Sequence, residues 1–137
     1  MKPIAPGTAG RYEITPDAAH TAAAIGNHGV EVVGTPFLIG WLEVASHNAI
    51  LPSCEPGEAT VGTRVEVDHL GPAFPGRPVV AEARVVAVDG RKVQFEVSAS
   101  QDGRVVMSGR HGRAIVNLDR FLKKLAPPSS PSSAPGV

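Results

Sequence analysis

The sequence is poor in cysteine and in aromatic residues, and it carries no excess charge of either sign. The single cysteine, Cys54, excludes an intramolecular disulfide and a zinc site built from several cysteines. Lysine plus arginine and aspartate plus glutamate both total 13, so the basic surface that nucleic-acid binding needs is missing. No apolar run reaches the roughly 18 residues of a membrane-spanning helix. We therefore expect a cytoplasmic protein without a nucleic-acid or membrane partner.

The composition divides the chain into three parts. Residues 1–10 contain two prolines and two glycines without any periodicity, and we expect a flexible arm there. Residues 11–125 are long enough to form one domain with its own core. Residues 126–137 are rich in proline and serine, which cannot bury a core, so a disordered tail is expected.

The only convincing helix of more than three turns covers residues 34–51. Thr35 is predicted to cap its free N–H groups, and Pro36 suits the first helical position. One acid, Glu43, interrupts the apolar surface, and a carboxylate in such a helix is costly unless it is paired. The apolar residues that share a face at helical spacing are Phe37, Leu38, Trp41, Leu42, Ala45 and Ala49.

After residue 58 the hydrophobic pattern changes to a period of two, which is typical of strands. Strands are predicted at 60–69, 79–88, 92–100 and 105–118, with a short one at 11–15. Asp89-Gly90 and Asp102-Gly103 predict tight hairpins between the last three. On the strand 60–69, one apolar face is predicted to hold Val61, Thr63, Val65, Val67 and His69. On the strand 79–88, the apolar face is predicted to hold Val79, Ala81, Ala83, Val85 and Ala87.

This order of elements predicts an α+β protein with the hotdog fold, in which a curved antiparallel sheet is wrapped around one long central helix. Such a sheet leaves long edges exposed, and proteins commonly hide them by pairing. We therefore expect a homodimer. One or two helical turns are expected at 119–125, and a small helix capped by Asp17 before the central helix.

Four segments together resemble the fluoroacetyl-CoA thioesterase branch of the hotdog acyl-CoA thioesterases: residues 35–43, 55–58, 61–63 with His69, and 113–118. The resemblance implies that Thr35, Glu43 and His69 match the catalytic residues of that family. It also implies that Gly62 matches a glycine on the oxyanion side and Arg113 an active-site arginine. The family's lid carries phenylalanine, whereas residues 26–33 contain no aromatic residue. The resemblance therefore implies thioester hydrolysis and leaves the acyl group open.

Thioester hydrolysis needs a nucleophile or an activated water, a proton carrier and donors for the developing oxyanion. Glu43 suits the first role and His69 the second. Each residue also has a structural alternative: Glu43 paired with His47, His69 a core histidine, and Thr35 a helix cap. Gly62 could mark a strand bulge and Arg113 a structural ion pair. Gly62, Arg113 and Phe37 are predicted to contact substrate.

No histidine spacing in the sequence suits a metal, and no cofactor is expected, because coenzyme A would enter as part of an acyl-CoA substrate. Two other classes of function are considered. One is a hotdog protein that binds acyl-CoA or another small ligand without catalysis. The other is an enoyl-thioester hydratase, which is less favoured because its Asp-x-Asn-Pro-x-His pattern is absent.

Overall fold

The computed structural model describes residues 1–125, so the predicted tail lies outside the described residues. Two α-helices and five strands make up the fold, together with three single-turn 3-10 helices at Ala18–His20, Ala23–Ile25 and Leu51–Ser53. The elements in chain order are β1 (Ala9–Ile14), α1 (Thr35–Ile50), β2 (Glu58–His69), β3 (Val79–Asp89), β4 (Lys92–Gln101), β5 (Arg104–Asn117) and α2 (Leu118–Leu125).

The five strands form one antiparallel sheet in the order β1-β3-β4-β5-β2, with α1 packed across it. Both predicted hairpins are confirmed, since Asp89 pairs with Lys92 and Gln101 with Arg104. The predicted α+β fold, with a curved sheet around one long helix, is confirmed. The chain reaches the far edge of the sheet at β2, which pairs only with β5.

The core lies between one face of α1 and the sheet. Residues of α1 that the sheet buries alternate with exposed ones at helical spacing, and Val44 on the opposite side is 36% exposed. At Gly10, β1 passes so close to the α1 backbone that a Cβ would lie 2.6 Å from the amide nitrogen of Ala49. The largest fully buried apolar side chains include Phe95, Leu38, Leu42, Ile50, Met107 and Ile115.

The N-terminal residues differ from the flexible arm predicted for 1–10. The amide of Lys2 donates to the carbonyl of Ser53 at 2.7 Å, and the amide of Gly7 donates to Val85 at the same distance. Met1 and Ile4 pack against the core, and β1 already begins at Ala9. These contacts place the segment on the domain, because its apolar side chains find core residues that composition alone does not reveal.

A bulge in β2 overturns the single face predicted for that strand. Gly62 pairs with Arg113 and Arg64 with Gly112, so Thr63 is an extra residue without a partner. One extra residue reverses the side on which later side chains lie. Gly62 therefore faces α1 before the bulge, and Val65, Val67 and His69 face it afterwards.

A second register shift, between Val85 and Ala87, corrects the face predicted for β3. Ala87 is exposed and Val88 packs on the core instead.

The predicted small helix at 18–25 is replaced by two 3-10 turns, although Asp17 does cap the first by accepting from the amide of Ala19 at 2.8 Å. The helix predicted at 119–125 is confirmed as α2. No helix within residues 1–125 is long and apolar enough to cross a membrane.

Candidate active site

The first polar pair lies where α1 begins. Thr35 is the first residue of α1 and His69 the last residue of β2, and their Oγ1 and Nδ1 atoms are 2.7 Å apart. The N-cap is Gly34, which offers no side-chain bond, so the predicted capping role of Thr35 is wrong. The reason is that the Thr35 hydroxyl bonds to the histidine ring. The reading of His69 as a buried core residue is wrong too, because His69 is exposed.

The second polar group surrounds Glu43, two turns further along α1. Its carboxylate oxygen Oε2 lies 3.4 Å from Nη1 of Arg113 and 3.9 Å from Nε2 of His111. The alternative that Glu43 pairs with His47 is wrong, because Nδ1 of His47 is 2.7 Å from the hydroxyl of Thr60. Glu43 therefore points at the sheet and at a cation that belongs to β5.

Arg113 is the buried centre of this group. Its Nε donates to the Thr60 hydroxyl at 3.0 Å and its Nη2 to the Thr60 carbonyl at 3.1 Å. Its Nη1 lies within hydrogen-bond distance of both His111 and Glu43. Burial lowers the pKa of Arg113, and Glu43 opposes that shift. The arginine thus contacts the neighbouring carboxylate, one of the roles considered for it, while Thr60 holds it in place.

Gly62 leaves the space that the Glu43 carboxylate occupies. A Cβ at this position would lie 2.5 Å from Oε2 of Glu43, and 3.4 Å from both Nη1 of Arg113 and Cε1 of His111. Gly62 also stands at the edge of the β2 bulge, so the structural alternative for it is confirmed as well. The two features belong together, because the bulge turns this glycine towards α1.

A small apolar cleft opens beside Glu43. It has an empty volume of about 150 Å³ and leaves no room for a water-sized sphere in this structure. Glu43 and His111 are its polar lining residues. The remaining lining is aliphatic and comes from α1, β2 and β4: Ile39, Leu42, Val65, Val67 and Val97.

The three predicted catalytic residues fall into two separate groups within one chain. Thr35 and His69 bond to each other, but neither bonds to Glu43. Thr35 and Glu43 are eight residues apart on one helix, which corresponds to about 12 Å along its axis. A single chain therefore does not assemble the three side chains into one hydrogen-bonded set.

Phe37 lies in an aromatic cluster near the start of α1. Its ring is 6.4 Å from that of Trp41, and the His20 ring packs edge-on against both at 5.4 Å. The contact predicted between Phe37 and substrate stays a prediction. His20 comes from the segment before α1, and its carbonyl accepts the amide of Gly34 at 2.9 Å.

Sequence reasoning did not assign roles to His111 and Thr60, which complete the surroundings of Arg113. A signal was available for His111, because it precedes Arg113 by two residues and so shares its strand face.

Cys54 lies beyond the far end of α1, and burial raises the pKa of its thiol, which does not favour a nucleophile. Within residues 1–125, no three histidine, cysteine, aspartate or glutamate side chains group as metal ligands would.

The fold, one curved antiparallel sheet around a long helix, is that of a hotdog-fold thioesterase. The sequence model of the family described as fluoroacetyl-CoA-specific thioesterase matches residues 16–119. The fluoroacetyl-CoA thioesterase of Streptantibioticus cattleyicolor is 37% identical over 95 residues, which are 69% of this chain and 68% of that protein. The chain belongs to this thioesterase family and is an acyl-CoA thioester hydrolase, as the resemblance implied.

Solved structures agree with this assignment. The crystal structure of a point mutant of a fluoroacetyl-CoA-specific thioesterase superposes with a TM-score of 0.85 at 28% identity, covering 91% of this chain and 97% of that one. A hypothetical protein of Thermus thermophilus, described as a thioesterase superfamily member, superposes with a TM-score of 0.84 at 28% identity. That match covers 90% of this chain and 92% of the other.

Proposed function

We propose that the protein hydrolyses a small acyl-CoA thioester to the free acid and coenzyme A, with Glu43 as the nucleophile or the base that activates water. The observation that carries the proposal is the ion pair of Glu43 with Arg113 at the edge of a small aliphatic cleft. In the reaction a carbon–oxygen bond forms at the acyl carbon, the carbon–sulfur bond breaks, and the departing thiolate takes a proton.

The contacts also support the roles that we propose for the other site residues. His69, bonded to the Thr35 hydroxyl, carries the proton, and Thr35 orients its ring. Gly62, where an added Cβ would meet the Glu43 carboxylate, is assigned to the oxyanion side, with its backbone N–H as the donor. Arg113 acts on Glu43, and Phe37 contributes apolar contact to the substrate. Coenzyme A enters with the substrate, so no resident cofactor takes part.

A homodimer is part of the proposal. The free edge of β2 is twelve residues long among the described strands, and Val65 on it is 43% exposed. Exposed edges of this length invite pairing with a second copy. A twofold partner would also explain the divided site, because Glu43 of the partner subunit could approach the Thr35–His69 pair. The lone cysteine supports a cytoplasmic location.

Thiol release from a panel of short, branched, aromatic and fluorinated acyl-CoAs tests the reaction. We expect turnover of at least one short member and a loss of about 10²–10⁴-fold in Glu43→Gln and His69→Ala. Circular dichroism and sedimentation should show that both variants keep the parent's fold and mass. Binding without release from any member would contradict catalysis and favour an acyl-CoA-binding protein.

Mixed dimers test whether the site is shared. Glu43→Gln and His69→Ala protomers, unfolded together and refolded, should recover roughly a quarter of the parent rate, since half the dimers would each hold one complete site. The same variants refolded separately are the control and should stay inactive. No recovery on mixing would contradict a site built from two subunits.

A further inference from the structure

His111 is a buried titratable side chain beneath Glu43 to which the proposed reaction gives no role. It projects from β5, is 2% exposed, and its ring stacks on Phe95 with centroids 6.2 Å apart. It also lines the aliphatic cleft beside Glu43. A histidine in this position requires partners for both ring nitrogens, because a buried polar atom without a partner is costly.

The partners of His111 define its protonation state. Nδ1 lies 2.7 Å from the backbone carbonyl of Arg64, and a carbonyl only accepts, so Nδ1 carries the hydrogen. Nε2 lies 3.2 Å from Nη1 of Arg113, and a guanidinium only donates, so Nε2 must offer its lone pair. The contacts thus select the neutral ring with hydrogen on Nδ1. Burial lowers the pKa of His111, which agrees with a neutral ring.

The same Nη1 atom is the one that touches Glu43. Thr60 fixes the opposite edge of the guanidinium through Nε and Nη2, which leaves the Nη1 corner to be held from elsewhere. Nη1 carries two hydrogens, one directed at His111 Nε2 and the other at Glu43 Oε2. A neutral acceptor at position 111 therefore decides how the arginine presents its second hydrogen to the carboxylate.

We propose that His111 is a positioning residue for thioester hydrolysis: its neutral Nε2 holds Arg113 so that Nη1 orients the Glu43 carboxylate towards the cleft. The inference rests on the proposed role of Glu43. His111 acts through Arg113 and does not exchange a proton with the substrate. The charged side chains around it are Glu43 on α1, Arg110 and Arg113 on β5, and Arg64 and Glu66 on β2.

Three variants separate this role from simple packing. His111→Phe keeps a ring against Phe95 but removes both nitrogens, whereas His111→Gln restores an acceptor that can reach Nη1. Ile115→Val is the matched control, because it trims a buried residue of the same strand without touching a polar group. We expect kcat to fall at least tenfold in His111→Phe with KM changed less than threefold. His111→Gln should recover at least threefold of that loss, and Ile115→Val should keep the parent kcat.

A double substitution tests whether the effect passes through Arg113. In an Arg113→Met background, His111→Phe should lower kcat by less than twofold further. Nitrogen-15 NMR of the parent should show the His111 ring neutral, with hydrogen on Nδ1, at pH 7. An equal loss in both backgrounds, a charged ring or the opposite tautomer would each overturn the inference. If the parent hydrolyses acyl-CoA and His111→Phe keeps its kcat, only this inference fails. If the parent hydrolyses no member of the panel, the proposed function fails first.

Discussion

The Glu43 carboxylate occupies the space that a side chain at position 62 would need. A Cβ built on Gly62 would lie 2.5 Å from Oε2 of Glu43, a separation that real Cβ atoms essentially never show. The close approach of α1 to β2 at this point therefore depends on a glycine at position 62, which leaves room for the Glu43 carboxylate. This relationship predicts a coupling between the two positions that stability measurements can detect.

Gly62→Ala is expected to destabilise the protein because the added methyl group must displace Glu43 or the strand. Overpacking of this kind costs about 1–3 kcal/mol in the free energy of unfolding. In a Glu43→Ala background the crowding atom is gone, so most of that cost should vanish. Chemical denaturation of the parent, both single variants and the double variant measures the coupling. An equal cost in both backgrounds would contradict the contact.

Thr35 offers a prediction that separates catalysis from helix capping. Removal of a capping hydroxyl costs about 0.5–2 kcal/mol in the free energy of unfolding. Since Gly34 is the N-cap, Thr35→Val should not show that loss. It should still lower kcat by about tenfold or more, because His69 loses its hydroxyl partner. Thr35→Ser keeps the hydroxyl and should stay within a few-fold of the parent. A large loss of stability in Thr35→Val with normal kcat would point back to capping.

Much of the fold could be predicted from the sequence because its apolar residues recur with two different periods, one typical of helices and one typical of strands. The apolar residues of α1 recur at helical spacing, and the three long strands alternate and are joined by two Asp-Gly turns. Two of the failures, the faces predicted for β2 and β3, lie at strand bulges. Gly62 and His69 are seven residues apart, so strict alternation places them on opposite faces. Only the unpaired Thr63 brings both towards α1. The adjacent Gly62 allowed a bulge to be considered, but a glycine alone does not show which residue is left unpaired or that the later side chains change face.

The site could be predicted only in part, because its contacts join residues that are far apart in the sequence. Periodicity placed Glu43 on a mostly apolar helix and so marked it as a residue that needs a partner. The partner is Arg113, which lies 70 residues away in sequence, and Thr60 and His111 fix that arginine. Such contacts depend on how strands cross α1 and carry no local signal.

His111 also predicts how stability depends on pH. Its pKa in the folded protein is lowered, chiefly by burial, so the unfolded chain binds the proton more readily. The contribution of His111 to stability is thus complete above its ordinary pKa of about 6.5 and is lost as the pH falls from there towards the folded-state pKa. The slope from one group cannot exceed about 1.4 kcal/mol per pH unit.

Denaturation between pH 7.5 and pH 5 measures this effect. His111→Phe should show a shallower fall in the free energy of unfolding than the parent over that range. His47, whose pKa is also lowered, by burial and by Arg113, should keep part of the slope in the variant. A parent and a His111→Phe variant with the same slope would show that His111 does not contribute.

The segment before α1 predicts weak selectivity for fluorine. Residues 26–33 contain no phenylalanine, tyrosine or tryptophan, and Gly26 and Gly29 adopt φ values of 110° and 86°, where other residues are strained. An aliphatic cleft discriminates poorly between near-isosteric groups. We therefore expect kcat/KM for acetyl-CoA and fluoroacetyl-CoA to differ by less than about tenfold. Parallel assays of the two substrates measure that ratio.

Val30→Phe examines whether a ring in this segment changes that ratio. Val30 is 37% exposed and is not one of the two positions with positive φ, which are Gly26 and Gly29. A larger side chain can therefore be accommodated there. Val30→Leu adds apolar volume without a ring and is the matched control. A ratio that moves in Val30→Phe and not in Val30→Leu would assign selectivity to the aromatic ring. A parent that already prefers fluoroacetyl-CoA by more than about 100-fold would show that selectivity does not need a phenylalanine in residues 26–33. The aliphatic cleft or the cluster of His20, Phe37 and Trp41 would then be its source.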